Sequence, residues 1–65
     1  MLAMKKARKD RGWSGSRLAR EAGMNQASIS QIENRRLVPY PGQIEKIATA
    51  LDWQGEPQEL FEEVK

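Results

Sequence analysis

Leu18-Ala19-Arg20-Glu21-Ala22-Gly23-Met24-Asn25-Gln26-Ala27-Ser28-Ile29-Ser30-Gln31-Ile32-Glu33-Asn34 is the stretch whose reading decides the fold. Apolar residues recur at spacings of three and four on both sides of Gly23, which predicts two short helices rather than strands. Only the residues around Gly23-Met24-Asn25 separate them. Helices joined so closely must cross steeply, and Gly23 supplies the positive φ that such a turn needs. Ala19, four residues before the glycine, is small enough to let the second helix of the pair approach. Leu18, Met24, Ile29 and Ile32 are then expected to fill the wedge between the two.

Working outward, Gly12 predicts the end of a first helix over about 2–11, and Trp13 is expected to turn back toward the core. Ser14 is placed to cap a helix over 15–22, although Arg17 stands where a capping box would carry Glu. Asn25 is the expected cap of a third helix over 26–34. Pro41 opens a fourth, with Ile44, Ile47, Ala48 and Leu51 at i, i+3, i+4 and i+7. A fifth starts near Pro57 and carries Leu60, Phe61 and Val64, with Trp53 able to cover them and Phe61 expected inside. The connections of three to six residues leave no room for long crossovers. The chain therefore reads as one all-α domain over 1–65, a compact five-helix orthogonal bundle with its closest helix pair at about 15–34.

The 65 residues, 38% hydrophobic and 31% charged, suit a small folded module and exclude a catalytic scaffold with a separate substrate domain. A chain this short buries only about 60% of the surface it exposes when unfolded, so few apolar residues can be spared from the core. Cysteine and histidine are both absent. Disulfides, thiolate metal sites, the usual zinc ligands and the usual general base are thereby excluded. Ser14, Ser16, Ser28 and Ser30 have no histidine to activate them, so no enzyme, metal or cofactor is expected. No apolar run reaches signal-peptide or membrane-span length, and the expected location is the cytoplasm. The net charge of +2 conceals an asymmetry: residues 1–36 hold nine Lys or Arg against three acids, and residues 37–65 hold two against six. One half could face a polyanion, and the other would be repelled by it.

Taken with Arg8 and Gly12-Trp13-Ser14 upstream, and with Pro39 and Ala48-Thr49-Ala50-Leu51 downstream, the run from Leu18 to Asn34 resembles the helix-turn-helix DNA-binding domains of the phage repressor and Cro type, the XRE family. The resemblance covers about residues 4–53 without an insertion and implies a lambda-repressor-like fold with double-stranded DNA as partner. It also implies that Gln26 and Ala27 read base edges, with Gln31 one turn later and Asn25 and Ser30 as further candidates. Helical geometry agrees. At about 100° per residue, Ile29 and Ile32 point one way and Gln26, Ala27, Ser30, Gln31 and Asn34 roughly the other. That uncharged, amide-rich face suits the major groove, where Gln pairs with adenine and Ala meets a thymine methyl.

Phosphate contacts are expected from Ser28 on the flank, from Asn34 at the helix end, and from Arg35 and Arg36 after it; these set register rather than sequence preference. Arg17 and the backbone of Gly15 are further candidates, the latter because helix amides favour an anion. The resemblance also implies an ion pair between Arg8 and Glu33 that links the first helix to the recognition helix. The chain departs from the family's pattern at Gly15, where a phosphate-binding glutamine is usual, and at Arg35, where a glycine commonly follows Glu-Asn. Arg35 is therefore expected either in a left-handed conformation or in an altered loop. A single module discriminates too little alone, which predicts a homodimer on a near-palindromic site, in a transcriptional regulator whose expected role is repression. The rival reading is a helix-turn-helix protein-interaction module, such as an antitoxin or a phage-encoded modulator, with Leu2, Leu37, Val38, Tyr40 and Phe61 as its apolar patch.

Overall fold

The computed structural model describes residues 1–64; Lys65, counted above among the basic side chains, lies outside them. Four α-helices follow in order: α1 (Ala3–Asp10), α2 (Gly15–Ala22), α3 (Gln26–Glu33) and α4 (Pro41–Ala50). A 3₁₀ helix at Pro57–Phe61 comes after them. The amphipathic stripes meet in one core in which Met4, Leu18, Ile29, Ile32, Ile47 and Leu60 are fully buried. Each such side chain contributes about 1.5–3 kcal/mol on leaving water. α2 packs against α3 and α4, and the 3₁₀ helix closes the bundle against α1 and α4.

The helix starts follow local chemistry. Ser14 Oγ accepts the Arg17 amide at 3.0 Å, and Asn25 Oδ1 accepts the Ala27 amide at 2.8 Å. Pro41 sits at the start of α4, where Gln43 Oε1 accepts the Tyr40 amide at 3.2 Å. The ends share one device: a residue with positive φ closes each α-helix, namely Gly12 (71°), Gly23 (66°), Arg35 (61°) and Asp52 (50°). Between α2 and α3 the Met24 amide donates back to Ala19 O at 2.8 Å, which shuts the turn that the Gly23 conformation makes possible.

The two chain ends depart from the expectations. The fifth element is a 3₁₀ turn rather than an α-helix, because Glu62 is already extended (φ −91°, ψ 150°) and pairs with the start of the chain. Ala3 N donates to Glu62 O and Val64 N to Met1 O, both at 2.9 Å, around an antiparallel bridge between Leu2 and Glu63. Leu2 is extended for the same reason, and α1 begins one residue later. Leu60, not Phe61, fills the core, and Phe61 is half-buried. Trp53 packs against the core and is anchored by Nε1 donating to Glu56 O at 3.0 Å. α3 ends at Glu33, with Asn34 just outside it.

Candidate nucleic-acid interface

α3 is held from one side only. Ile29 and Ile32 are each 1% exposed, whereas Gln26, Ala27, Ser30 and Gln31 are exposed on the opposite face. That outward surface carries no charged side chain, only amides, hydroxyls and a methyl. Asn25 sits at the helix start with its amide oxygen committed to the cap, which leaves its NH2 group as the part able to meet a base. Ser28 is half-buried on the flank. Asn34 folds back along the helix, Nδ2 donating to Ser30 Oγ at 3.4 Å, so these two candidates contact each other.

The C-terminal turn of α3 is tied to α1 by an ion pair. Arg8 Nε and Nη2 donate to the two carboxylate oxygens of Glu33 at 2.8 and 3.1 Å. Both side chains are largely withdrawn from water, 11% and 8% exposed respectively. Arg8 Nη1 donates in addition to Trp13 O at 2.8 Å, so one guanidinium joins α1, the turn before α2 and the end of α3. A bidentate fork of this kind fixes orientation as well as distance.

Around this frame the basic residues divide. Arg36 is exposed, and its amide closes the turn onto Gln31 O at 2.8 Å. Arg35 takes the left-handed backbone, and its guanidinium pairs with Glu63 of the C-terminal segment. The Met1 ammonium group donates to the same carboxylate at 2.8 Å. Arg17 lies in the first turn of α2, pairs with Glu21 at 3.0 Å and sits 5.0 Å from the centroid of the Trp13 ring. Gly15, at the start of that helix, is half-buried, and a Cβ built on it would meet no atom within 4 Å.

Arg11 and Trp13 were not among the sequence candidates. The Arg11 guanidinium lies 5.2 Å from the same ring centroid, and its Nη2 donates to Leu51 O at the end of α4 at 2.6 Å. The available signal was a tryptophan flanked by arginines two residues before it and four after.

Near the α3–α4 loop, Leu2, Ile32, Leu37, Val38, Pro39 and Phe61 line an open groove of about 460 Å³, with Arg35 and Glu63 at its rim. Val38 is 88% exposed beside it and Tyr40 63% exposed. Among the described residues no group of three or more His, Cys, Asp or Glu side chains is placed to hold a metal ion. No helix among them is long and apolar enough to cross a membrane.

Residues 3–61 match the helix-turn-helix domain family. Over 49 residues the chain is 43% identical to the HTH-type transcriptional regulator SutR of Escherichia coli (strain K12), a match that covers 75% of this chain. The chain spans only 28% of the length of that relative. No solved structure matches it. With nearly its whole length matched and its closest helix pair locked through Gly23, the chain belongs to the helix-turn-helix domain family.

Proposed function

We propose that this chain binds double-stranded DNA with sequence preference and acts in transcriptional regulation, α3 lying in the major groove and the expected outcome being repression. The observation that carries the reading is the outward face of α3: exposed Gln26, Ala27, Ser30 and Gln31, none charged, on a helix whose other face is buried. Ordinary solvation would favour Lys and Glu there, whereas a groove rewards amide donors and acceptors and small apolar groups. An eight-residue helix is about 12 Å long, enough to lie along about three or four base pairs. Similarity to a protein named as a transcriptional regulator supports the regulatory part of the reading.

In this scheme Gln26, Ala27 and Gln31 read bases, Asn25 and Ser30 assist, and Ser28, Asn34, Arg36, Arg17 and the backbone of Gly15 meet phosphate. Arg35 does so only by leaving Glu63. A homodimer with half-site centres about 34 Å apart would multiply the limited discrimination of one module. The Arg8–Glu33 pair sets the angle at which α3 is presented.

Selection of bound sites from a random duplex library tests this directly. One enriched near-palindrome is expected, Gln26→Ala should change which sites are preferred, and Arg36→Ala should weaken all sites alike. Failure to enrich any sequence would refute the reading. It would favour the second one, a protein-interaction module, which draws support from the groove lined by Leu2, Leu37, Val38 and Phe61.

A further inference from the structure

Trp13 gathers more positive charge than its surroundings balance. The guanidinium groups of Arg11 and Arg17 lie 5.2 and 5.0 Å from its ring centroid, both within the range in which an indole face attracts a cation. Their remaining partners are one carboxylate, Glu21 on Arg17, and one neutral carbonyl, Leu51 O on Arg11. Each guanidinium has five N–H donors, and these contacts among the described residues use one on each. Two exposed cations drawn to one ring with a single counter-charge make a locally positive site with N–H donors free to meet an anion.

The position of the cluster narrows the kind of anion. The carbonyl of Trp13 accepts from Arg8, and the same guanidinium holds Glu33 at the last turn of α3. The backbone of Trp13 is thereby tied through Arg8 to the last turn of α3, while its ring carries Arg11 and Arg17 at the entry to α2. The approach to the first turn of α2 is open, since a Cβ at Gly15 would meet nothing within 4 Å.

We infer that Trp13 is a positioning residue: its indole holds Arg11 and Arg17 as a pair of donors for the duplex phosphate backbone at the entry to α2. Arg11 thereby becomes a phosphate-binding residue. The inference rests on the DNA-binding reading and adds to it a device for immobilising two long side chains before contact. Prior ordering matters because a guanidinium free in solvent loses rotamer entropy when it docks, and stacking on a fixed ring removes part of that loss in advance.

The test is the salt dependence of binding to a fluorescein-labelled duplex of about 20 base pairs and mixed sequence, followed by anisotropy from about 50 to 200 mM KCl. Each phosphate contact contributes about 0.9 to the slope of log affinity against log salt, about threefold in affinity over this range. Arg11→Gln and Arg17→Gln should each lower the slope by about 0.9, and Trp13→Leu by up to twice that. Trp13→Phe, which keeps an aromatic face, should recover most of the wild-type slope. A purely structural role for the ring would shift thermal unfolding and leave the slope unchanged, and that result would overturn the inference. Should Trp13→Leu not fold, the two glutamine variants decide, because unchanged slopes in both are equally fatal. Wild-type protein that shows no salt-dependent binding to duplex would sink the DNA-binding reading itself. Steep wild-type binding with unaltered variants would remove only the present inference.

Discussion

Truncating Arg8 and Glu33 together should destabilise this protein far less than the sum of the two single truncations, because either single change strands a buried charge. The carboxylate receives two hydrogen bonds, at 2.8 and 3.1 Å, and the two side chains are only 8% and 11% exposed. Charges about 4 Å apart attract by about 4 kcal/mol at an effective dielectric near 20. Desolvation of both groups offsets much of that gain, so the net worth of the intact pair is modest. Removing one partner is different: Arg8 is left largely buried with Trp13 O as its remaining acceptor, at a cost of about 3–5 kcal/mol. A 65-residue domain has only about 3–10 kcal/mol in total, so this variant should approach its unfolding limit. The assay is a double-mutant cycle of Arg8→Ala and Glu33→Ala, read by urea unfolding with far-UV circular dichroism at one salt concentration. A coupling of about 3 kcal/mol is expected, with the double variant little worse than the poorer single one. Raising the salt to about 0.5 M should leave it nearly unchanged, because a pair this deep is poorly screened. Additive losses, with coupling under about 0.5 kcal/mol, would refute the idea that α3 is locked to α1 through this contact.

Three further outcomes are expected. Asn25→Ala should lose about 1 kcal/mol through its cap, whereas Asn25→Ser should stay within a few tenths in the same urea titration; equal losses would rule out capping as the cause. Gly15→Ala should raise stability by about 0.4–1 kcal/mol in thermal melts, since the position is helical and open; a fall would reveal packing against the glycine. Arg35→Gly should be more stable than Arg35→Ala by about 1 kcal/mol, because both lack the guanidinium and only glycine adopts a φ of 61° without strain; equal values would contradict the left-handed backbone.

The helix boundaries were legible where a local signal coincided with the tertiary result. Ser14, Asn25 and Pro41 each mark a helix start, and Gly12 and Gly23 mark two of the four helix ends. Of the other two, Arg35 takes the left-handed conformation, one of the two outcomes expected where the family's glycine is replaced, and Asp52 takes it with no glycine to mark the end. The outward face of α3 was legible too, because one helix and two buried isoleucines are enough to say which side chains turn away.

Apart from Arg8, whose pairing with Glu33 the family resemblance implied, the chain ends and the pairings of Arg11 and Arg35 were not legible, for a shared reason: their state depends on partners remote in sequence. Glu62 and Glu63 read as the tail of an acidic helix, yet the backbone of residues 62–64 pairs with residues 1–3. Arg35 read as a phosphate ligand, yet its guanidinium lies on Glu63. Arg11 entered only in the count of basic residues near the end of the first helix, yet it reaches across to Leu51 O and the face of Trp13.

By itself, then, the sequence determined the elements whose causes are local: caps, glycine turns, apolar periodicity and the tight pair around Gly23, because each depends on residues within about one helical turn. Apart from the Arg8–Glu33 pair, only the tertiary structure decided how charge is deployed, since an arginine can span the gap between elements and its partner is chosen in space. Nine basic side chains in the first 36 residues look alike in sequence. Folding makes one of them a buried lock on Glu33, another a clasp on Glu63, and two the occupants of a single tryptophan ring.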